Sequence, residues 1–134
     1  MVVSPAGRES CVFLVDDNLE SREVLAEVLE TYGYRVVAAS SGKEALEYLH
    51  RSAPPRLIIT DLMMPVMNGW DLLEAKRKMK HLAKVPVVVL SAVPKPEVEA
   101  DHVMLKPVDV ERLLATVKLY AGDNPDEEES LTNE

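Results

Sequence analysis

Hydrophobic positions along the chain fall into two alternating patterns. Five short runs are almost continuously apolar: residues 11–15, 34–39, 57–60, 87–90 and 102–105. Runs of this kind are typical of strands that are buried on both faces of a parallel sheet. The pattern therefore predicts five strands.

Amphipathic stretches with helical spacing lie between most of these runs. We predict helices over residues 18–32 and 70–80, one that opens at Ser41 with a capping box to Glu44, and a last one capped by Asp109. Strands that alternate with helices predict an α/β fold with right-handed crossovers. The expected architecture is a doubly wound, five-stranded parallel sheet, which would be flavodoxin-like if its strand order is 2-1-3-4-5.

The fourth crossover departs from this regular alternation. Only eleven residues separate Ser91 from Val103, whereas a parallel crossover usually needs a dozen or more. Pro94 and Pro96 prevent a helix before residue 97. The six residues left make less than two helical turns, so we expect the fourth helix to be vestigial or absent.

Length and composition are those of one globular domain. The chain has 134 residues, of which 47% are hydrophobic, enough for a sizeable core. No apolar run approaches the ~20 residues that cross a bilayer, and residues 1–10 lack a signal-peptide pattern, so we expect a cytoplasmic protein with no membrane partner. The single cysteine, Cys11, excludes an internal disulfide and a zinc site built from cysteines.

The net charge of −8 is concentrated at one end of the chain. Residues 123–134 hold six acidic side chains and no Lys or Arg, so the remainder is nearly neutral. Without a basic footprint, direct nucleic-acid binding is not expected. We divide the chain into a flexible N-terminus (residues 1–9), a domain (residues 10–121) and an acidic, disordered tail (residues 122–134).

Polar side chains follow four of the predicted strands, at the ends where open α/β sheets bind ligands. They are Asp16 and Asp17, Asp61, Ser91, and Lys106. In the order 2-1-3-4-5 the first and third strands are neighbours, so the three acids should converge. Two unit charges 4 Å apart repel by about 4 kcal/mol at an effective dielectric of 20. Protonation, a basic partner or a divalent cation could offset this cost, and an oxygen-only set suits Mg²⁺ or Mn²⁺.

The same residue types fit the capture of a phosphoryl group. Lys106 supplies a positive charge, and the Ser91 hydroxyl can donate a hydrogen bond to a phosphoryl oxygen. Carboxylates form acyl phosphates as covalent intermediates. Asp61 is the candidate nucleophile, because it stands alone on the middle strand between the acidic pair and the Ser/Lys side.

Together these residues resemble a CheY-like receiver domain of the response regulators of two-component systems, over roughly residues 10 to 120. Asp16-Asp17 is similar to the family's acidic pair, Asp61 within segment 61–69 to its phosphoacceptor, Ser91-Ala92 to its switch hydroxyl, and Lys106-Pro107 to its lysine–proline pair.

The resemblance implies that Asp61 accepts a phosphoryl group from a histidine kinase or phosphotransfer protein. It implies that Asp17, Asp61 and the Met63 carbonyl hold Mg²⁺, with Asp16 acting mainly through water, and that the bond before Pro107 is cis. The chain would then act as a switch that signals by contact with an unidentified downstream protein, and not as an enzyme.

Two features depart from the family pattern. The fourth helix is short or missing, and Val103 occupies the position, three before Lys106, where the family usually has an aromatic residue. Both lie on the face that receivers commonly use for dimerisation and output, so we expect capture to be intact and readout to be unconventional. Two other functions stay open: a phosphorylation-independent adaptor, and a small Mg²⁺-dependent aspartyl phosphohydrolase.

Overall fold

A computed structural model describes residues 11–122, which form one parallel sheet with helices on both faces. The strands are β1 (Cys11–Val15), β2 (Arg35–Ala39), β3 (Leu57–Asp61), β4 (Val87–Ser91) and β5 (His102–Leu105). The helices are α1 (Leu19–Thr31), α2 (Gly42–Arg51), α3 (Gly69–Arg77) and α4 (Val110–Ala121). The order β2-β1-β3-β4-β5 confirms the predicted doubly wound fold. The predicted N-terminal segment and almost all of the acidic tail lie outside the described residues.

Each strand sends alternate side chains to two separate cores. Leu14 of β1 packs in a cluster with residues of α1 and α4, whereas its neighbour Phe13 packs with residues of α2 and α3. The central strands β3 and β4 are buried at every position. Their sequences are apolar until the strand end, except for buried Thr60 of β3, because both faces are covered. None of the four helices in the described range is long and apolar enough to span a bilayer.

Side-chain caps set the start of every helix. Asn18, Ser41, Asn68 and Asp109 each accept a hydrogen bond from the backbone N–H three residues further on. The expected capping box at Ser41 is only half formed, because the Glu44 carboxylate accepts from the N–H of Ser40 instead of Ser41. Helix starts are therefore well specified by local sequence.

The end of α3 differs from the expectation. The predicted helix runs to residue 80, but α3 ends at Arg77 and gives way to turns. Buried Lys76 explains the change, because its Nζ donates to the Ala83 carbonyl at 3.1 Å and so folds the following segment back on the helix.

The connection between β4 and β5, residues 92–101, contains no helix. We call it the strap. This confirms the sequence prediction, and α4, the fourth helix along the chain, follows β5. Val98 and Ala100 of the strap pack against the core on the α2/α3 side. On the same face of edge strand β5, Val103 and Leu105 stay 36% and 51% exposed.

Gly69 provides the first testable prediction. A Cβ added there would lie 2.7 Å from the Asp61 carbonyl oxygen and 2.9 Å from the Leu62 Cα, backbone atoms that cannot turn aside. We expect Gly69→Ala to lower the free energy of unfolding by about 1–3 kcal/mol, the usual cost of overpacking. The exposed α3 substitution Glu74→Ala should stay within about 0.5 kcal/mol of wild type. Urea unfolding measures both, and equal midpoints for the two variants would contradict the packing account.

Candidate functional site

The three predicted acids lie together at the carboxyl edge of the sheet. Asp16 follows β1 directly, and Asp61 is the last residue of the neighbouring strand β3. Asp16, Asp17 and Asp61 can each place a carboxylate oxygen within 4.8 Å of the other two. The strand order thus brings together side chains that are 45 positions apart in the chain.

Two of these carboxylates are buried and the third is open to solvent. Asp16 and Asp61 are 0% and 1% exposed, whereas Asp17 is exposed. Oδ1 of Asp16 accepts from the Asn18 backbone N–H at 2.9 Å, but its buried Oδ2 has no hydrogen-bond partner among the described residues. A buried polar atom without a partner is costly, so this oxygen is suited to an added proton, water or cation.

Backbone contacts hold Asp16 in place from two sides. Its N–H donates to the Ala39 carbonyl at 3.1 Å, and its own carbonyl accepts from Nη1 of Arg22 at 2.8 Å. Sequence reasoning missed Arg22, because a contact six positions away depends on how α1 packs against the sheet. No sequence signal marks it, because the acceptor is a backbone carbonyl.

Lys106 reaches the site from the other side. Its Nζ lies 2.6 Å from Oδ1 of Asp61, and its backbone N–H donates to the Ser91 carbonyl at 2.8 Å. The peptide bond between Lys106 and Pro107 is cis, as the resemblance implied. The Lys106 ammonium group therefore contacts one carboxylate oxygen of Asp61, the predicted phosphoacceptor.

Ser91 ends β4, one strand away from Asp61, and is 1% exposed. Its hydroxyl donates to the Val93 carbonyl at 2.7 Å and accepts from the Val93 N–H at 3.1 Å. The hydroxyl thus belongs to a local turn here. Met63 lies two residues beyond Asp61, in the loop between β3 and α3, and its side chain is 70% exposed.

Burial and the neighbouring acid set the charge of Asp61. Burial raises its pKa, the hydrogen bond and negative charge of Asp16 raise it further, and Lys106 opposes them, so that the pKa is about 7. At Asp16, burial also acts to raise the pKa, but hydrogen bonds from Asp61, Ser21 and the Asn18 backbone outweigh it, so the pKa is lowered. Near neutral pH, Asp16 is ionised and Asp61 is close to half protonated.

The site's donor set fits a hard divalent cation. All three side chains offer oxygen atoms, the preferred ligands of Mg²⁺ and Mn²⁺. A cation there would supply positive charge beside the unpartnered Oδ2 of Asp16 and would replace the proton that Asp61 holds. Within residues 11–122 no second group of three acidic, histidine or cysteine side chains is arranged in this way.

The raised pKa of Asp61 predicts a pH effect on stability. The folded chain holds a proton on Asp61 up to about pH 7, whereas an unfolded aspartate loses it near 3.9. Over that interval the free energy of unfolding should fall as pH rises, and the lowered pKa of Asp16 acts only at lower pH. In EDTA, wild type should lose about 2–3 kcal/mol relative to Asp61→Asn between about pH 5 and pH 8. Urea unfolding at each pH measures this, with exposed Asp71→Asn as the control, and parallel profiles for wild type and Asp61→Asn would contradict it.

Comparisons with known proteins agree with this fold. The family described as response regulator receiver domain matches residues 12–118. The two-component response regulator ORR11 of rice, Oryza sativa, is 39% identical over 116 residues, which cover 79% of this chain and 79% of that protein. The sensor histidine kinase TmoS of Ectopseudomonas mendocina is 40% identical over 113 residues, which cover 79% of this chain but 11% of the kinase.

Solved structures give the same result. The chemotaxis response regulator CheY4 of Vibrio cholerae matches with a TM-score of 0.77 and 30% sequence identity, covering 83% of this chain and 98% of that chain. Because the family match spans most of the chain and the solved structures agree with its fold, this chain belongs to the response regulator receiver domain family of two-component systems.

Proposed function

We propose that this receiver takes a phosphoryl group onto Asp61 from a phosphohistidine of a histidine kinase or phosphotransfer protein. The observation that carries the proposal is the Asp61 carboxyl itself, which is buried at a strand end with Lys106 Nζ at 2.6 Å and two further acids around it. In this proposal the phosphorylated chain acts in the cytoplasm as a switch and signals by contact with a downstream protein.

The transfer step needs the ionised form of Asp61. One carboxylate oxygen attacks phosphorus and forms the new P–O bond, while the P–N bond to the donor histidine breaks. The donor nitrogen keeps the electron pair, and the imidazole leaves neutral when its other nitrogen carries a proton. Lys106 supports this step in two ways, because its charge favours the Asp61 anion and then attracts the oxygens of the transferred group.

The acidic cluster would hold a divalent cation during this step. When bound, Mg²⁺ or Mn²⁺ supplies positive charge that offsets repulsion between the acids and the incoming phosphoryl oxygens. We assign Asp17, Asp61 and the Met63 carbonyl as its direct ligands and Asp16 as a partner through water. The exposure of Asp17 and the unsatisfied Oδ2 of Asp16 support this assignment.

Ser91 has the last role in the proposed site. Its hydroxyl would donate to an oxygen of the phosphoryl group on Asp61, since β4 lies beside β3 and both residues end their strands. Lys106 would contact the same group from the β5 side. The contacts of Ser91 and Lys106 with the phosphoryl group would form after transfer. They would stabilise phosphorylated Asp61 and not the phosphohistidine donor.

Intact-mass spectrometry after incubation with acetyl phosphate and MgCl₂ tests the chemistry. Wild type and the exposed-acid control Asp71→Asn should each gain one phosphoryl group, and Asp61→Asn should gain none. A gain that persists in Asp61→Asn would place the acceptor elsewhere. No gain in wild type would favour a phosphorylation-independent adaptor, and multiple turnover on phosphate monoesters would favour a phosphohydrolase.

Thermal melts with and without MgCl₂ test the cation site separately. Asp61→Asn should stabilise the metal-free chain at about pH 8, because it removes one of the mutually repelling charges. A cation at ten times its Kd adds about 1.4 kcal/mol to wild type by mass action, or several degrees in Tm, and this gain should shrink in the variant. Equal Mg²⁺ shifts in both proteins would show that Asp61 is not at the metal.

A further inference from the structure

The edge of the sheet opposite the acidic site carries a group of exposed basic side chains. This edge is formed by the amino ends of the strands, the carboxyl ends of the helices and the turns between α3 and β4. Its exposed basic residues, which we call the amino-edge patch, are Arg35, Arg51, Arg56, Lys78, Lys80 and Lys84. Segments 51–56 and 78–86 contain no acidic residue. The patch therefore concentrates positive charge on a chain whose net charge is negative.

Two hydrogen bonds hold the parts of the amino-edge patch together. Nε2 of His81 lies 2.9 Å from the Leu49 carbonyl oxygen, which joins the turns after α3 to the end of α2. The Ile58 N–H donates to the Pro86 carbonyl at 3.0 Å, which places the same turns beside the start of β3 and so near Arg56. The basic side chains of these three segments therefore share one surface.

The charges of the amino-edge patch are not neutralised within the described part of the chain. Residues 11–122 form two salt bridges, Arg77–Glu99 and Lys106–Asp61, and neither involves a residue of the patch. Like charges on neighbouring segments repel, and the repulsion is relieved by an anionic partner. The patch is therefore complementary in charge to an acidic segment.

The acidic tail leaves the domain at this same edge. The carbonyl of Gly122 accepts from Oη of Tyr34 at 2.7 Å, and a Cβ added at Gly122 would lie 2.9 Å from Nη2 of Arg56. The next residue is Asp123, and residues 123–134 hold six acidic side chains and no Lys or Arg. The acid-rich segment thus starts beside an arginine of the patch.

The tail is long enough to reach every part of the patch. At ~3.3 Å per residue, residues 123–134 span up to about 40 Å, whereas five strands about 4.8 Å apart span about 20 Å. Attachment to the domain gives such a segment an effective concentration on the order of mM, so individually weak exposed ion pairs can together hold it. At the opposite edge, the three acids of the site would repel it.

From this arrangement we infer that the amino-edge patch is a docking surface for an acidic peptide segment, and that residues 123–134 occupy it in the free chain. The tail then lies at the edge remote from Asp61 and leaves that site accessible. An acidic segment of another protein can use the patch only by displacing the tail. This inference does not depend on the phosphorylation of Asp61.

Paramagnetic relaxation in the full chain measures where the tail lies. Cys11 is the single cysteine, so Cys11→Ala with Ser130→Cys puts one nitroxide on the tail. Amide NMR signals of residues 78–84 should lose most of their intensity, whereas that of Lys43, at the start of α2, should keep its intensity. Raising NaCl from about 0.1 M to about 1 M shortens the Debye length from ~10 Å to ~3 Å and should restore most of the lost intensity.

Charge variants of the nitroxide-labelled chain test the complementarity. In the patch variant, Lys80→Gln with Lys84→Gln, most of the intensity at residues 78–84 should return. The matched control, Lys43→Gln with Lys95→Gln, removes the same charge from two exposed lysines away from the patch and should keep the wild-type pattern. A tail variant should act as the patch variant does; its substitutions are Glu127→Gln, Glu128→Gln and Glu129→Gln.

A mixture of two samples separates docking within one chain from docking on a second copy. Nitroxide-labelled chain without isotope is mixed with isotope-labelled chain that lacks the nitroxide, and no loss of intensity is expected. Loss in this mixture would assign the patch to the tail of a second copy and overturn the inference.

Three other outcomes would also overturn it. They are full intensity at residues 78–84 in the labelled chain, a loss that persists in about 1 M NaCl, and equal losses in the patch variant and its control. Fluorescein-labelled single-stranded DNA is the probe for a competing use of the patch. If the DNA binds the wild type but not the patch variant, and the nitroxide leaves residues 78–84 unaffected, the patch serves nucleic acid instead.

Discussion

Two carboxylates buried side by side are the constraint on which this site depends. Asp16 and Asp61 lie at the ends of adjacent strands, nearly inaccessible to water, and among the described residues Lys106 is the one cation that pairs with either carboxylate. One positive charge cannot balance both anions together with exposed Asp17. The free site is therefore close to half protonated near pH 7, and a bound cation or the proposed phosphoryl group would compete with that proton for the same oxygens. This makes the charge state of the site sensitive to what is bound there.

The fold places these acidic side chains close together at the sheet edge. Strand β3 is buried along its whole length, so its final residue is brought to the sheet edge beside β1 whatever its charge. Gly69 lets the next loop pass directly over the Asp61 backbone, with its N–H bonded to the Leu62 carbonyl at 2.8 Å. Burying acids there lowers the free energy of unfolding. Burial of many apolar side chains in the two core clusters on either side of the sheet offsets this loss. The connection after β4 contains no helix, and the acids and Lys106 nevertheless lie together at the sheet edge.

Features that depend on local sequence could be predicted, and features that depend on packing could not. Continuous apolar runs predicted the positions of the strands. Polar residues after these runs predicted that Asp61 and Lys106 lie at the carboxyl edge of the sheet. The short, proline-containing crossover correctly predicted that a helix is missing. By contrast, the end of α3 depends on where the buried Lys76 amine finds an acceptor. The Trp70–Glu97 hydrogen bond joins residues 27 positions apart across a segment without regular structure, and no periodicity marks such a contact.

The most direct test of the central claim is a crystal structure of the full chain soaked with MnCl₂ and beryllofluoride, located by the anomalous signal of manganese. We expect one strong peak bounded by Asp17, Asp61 and the Met63 carbonyl, with beryllium bound to an Asp61 oxygen and Lys106 turned toward fluoride. A manganese peak remote from Asp61, or an acidic cluster that stays free of metal while the Lys106–Asp61 contact is unchanged, would contradict the claim that these acids form a cation-dependent phosphoryl site.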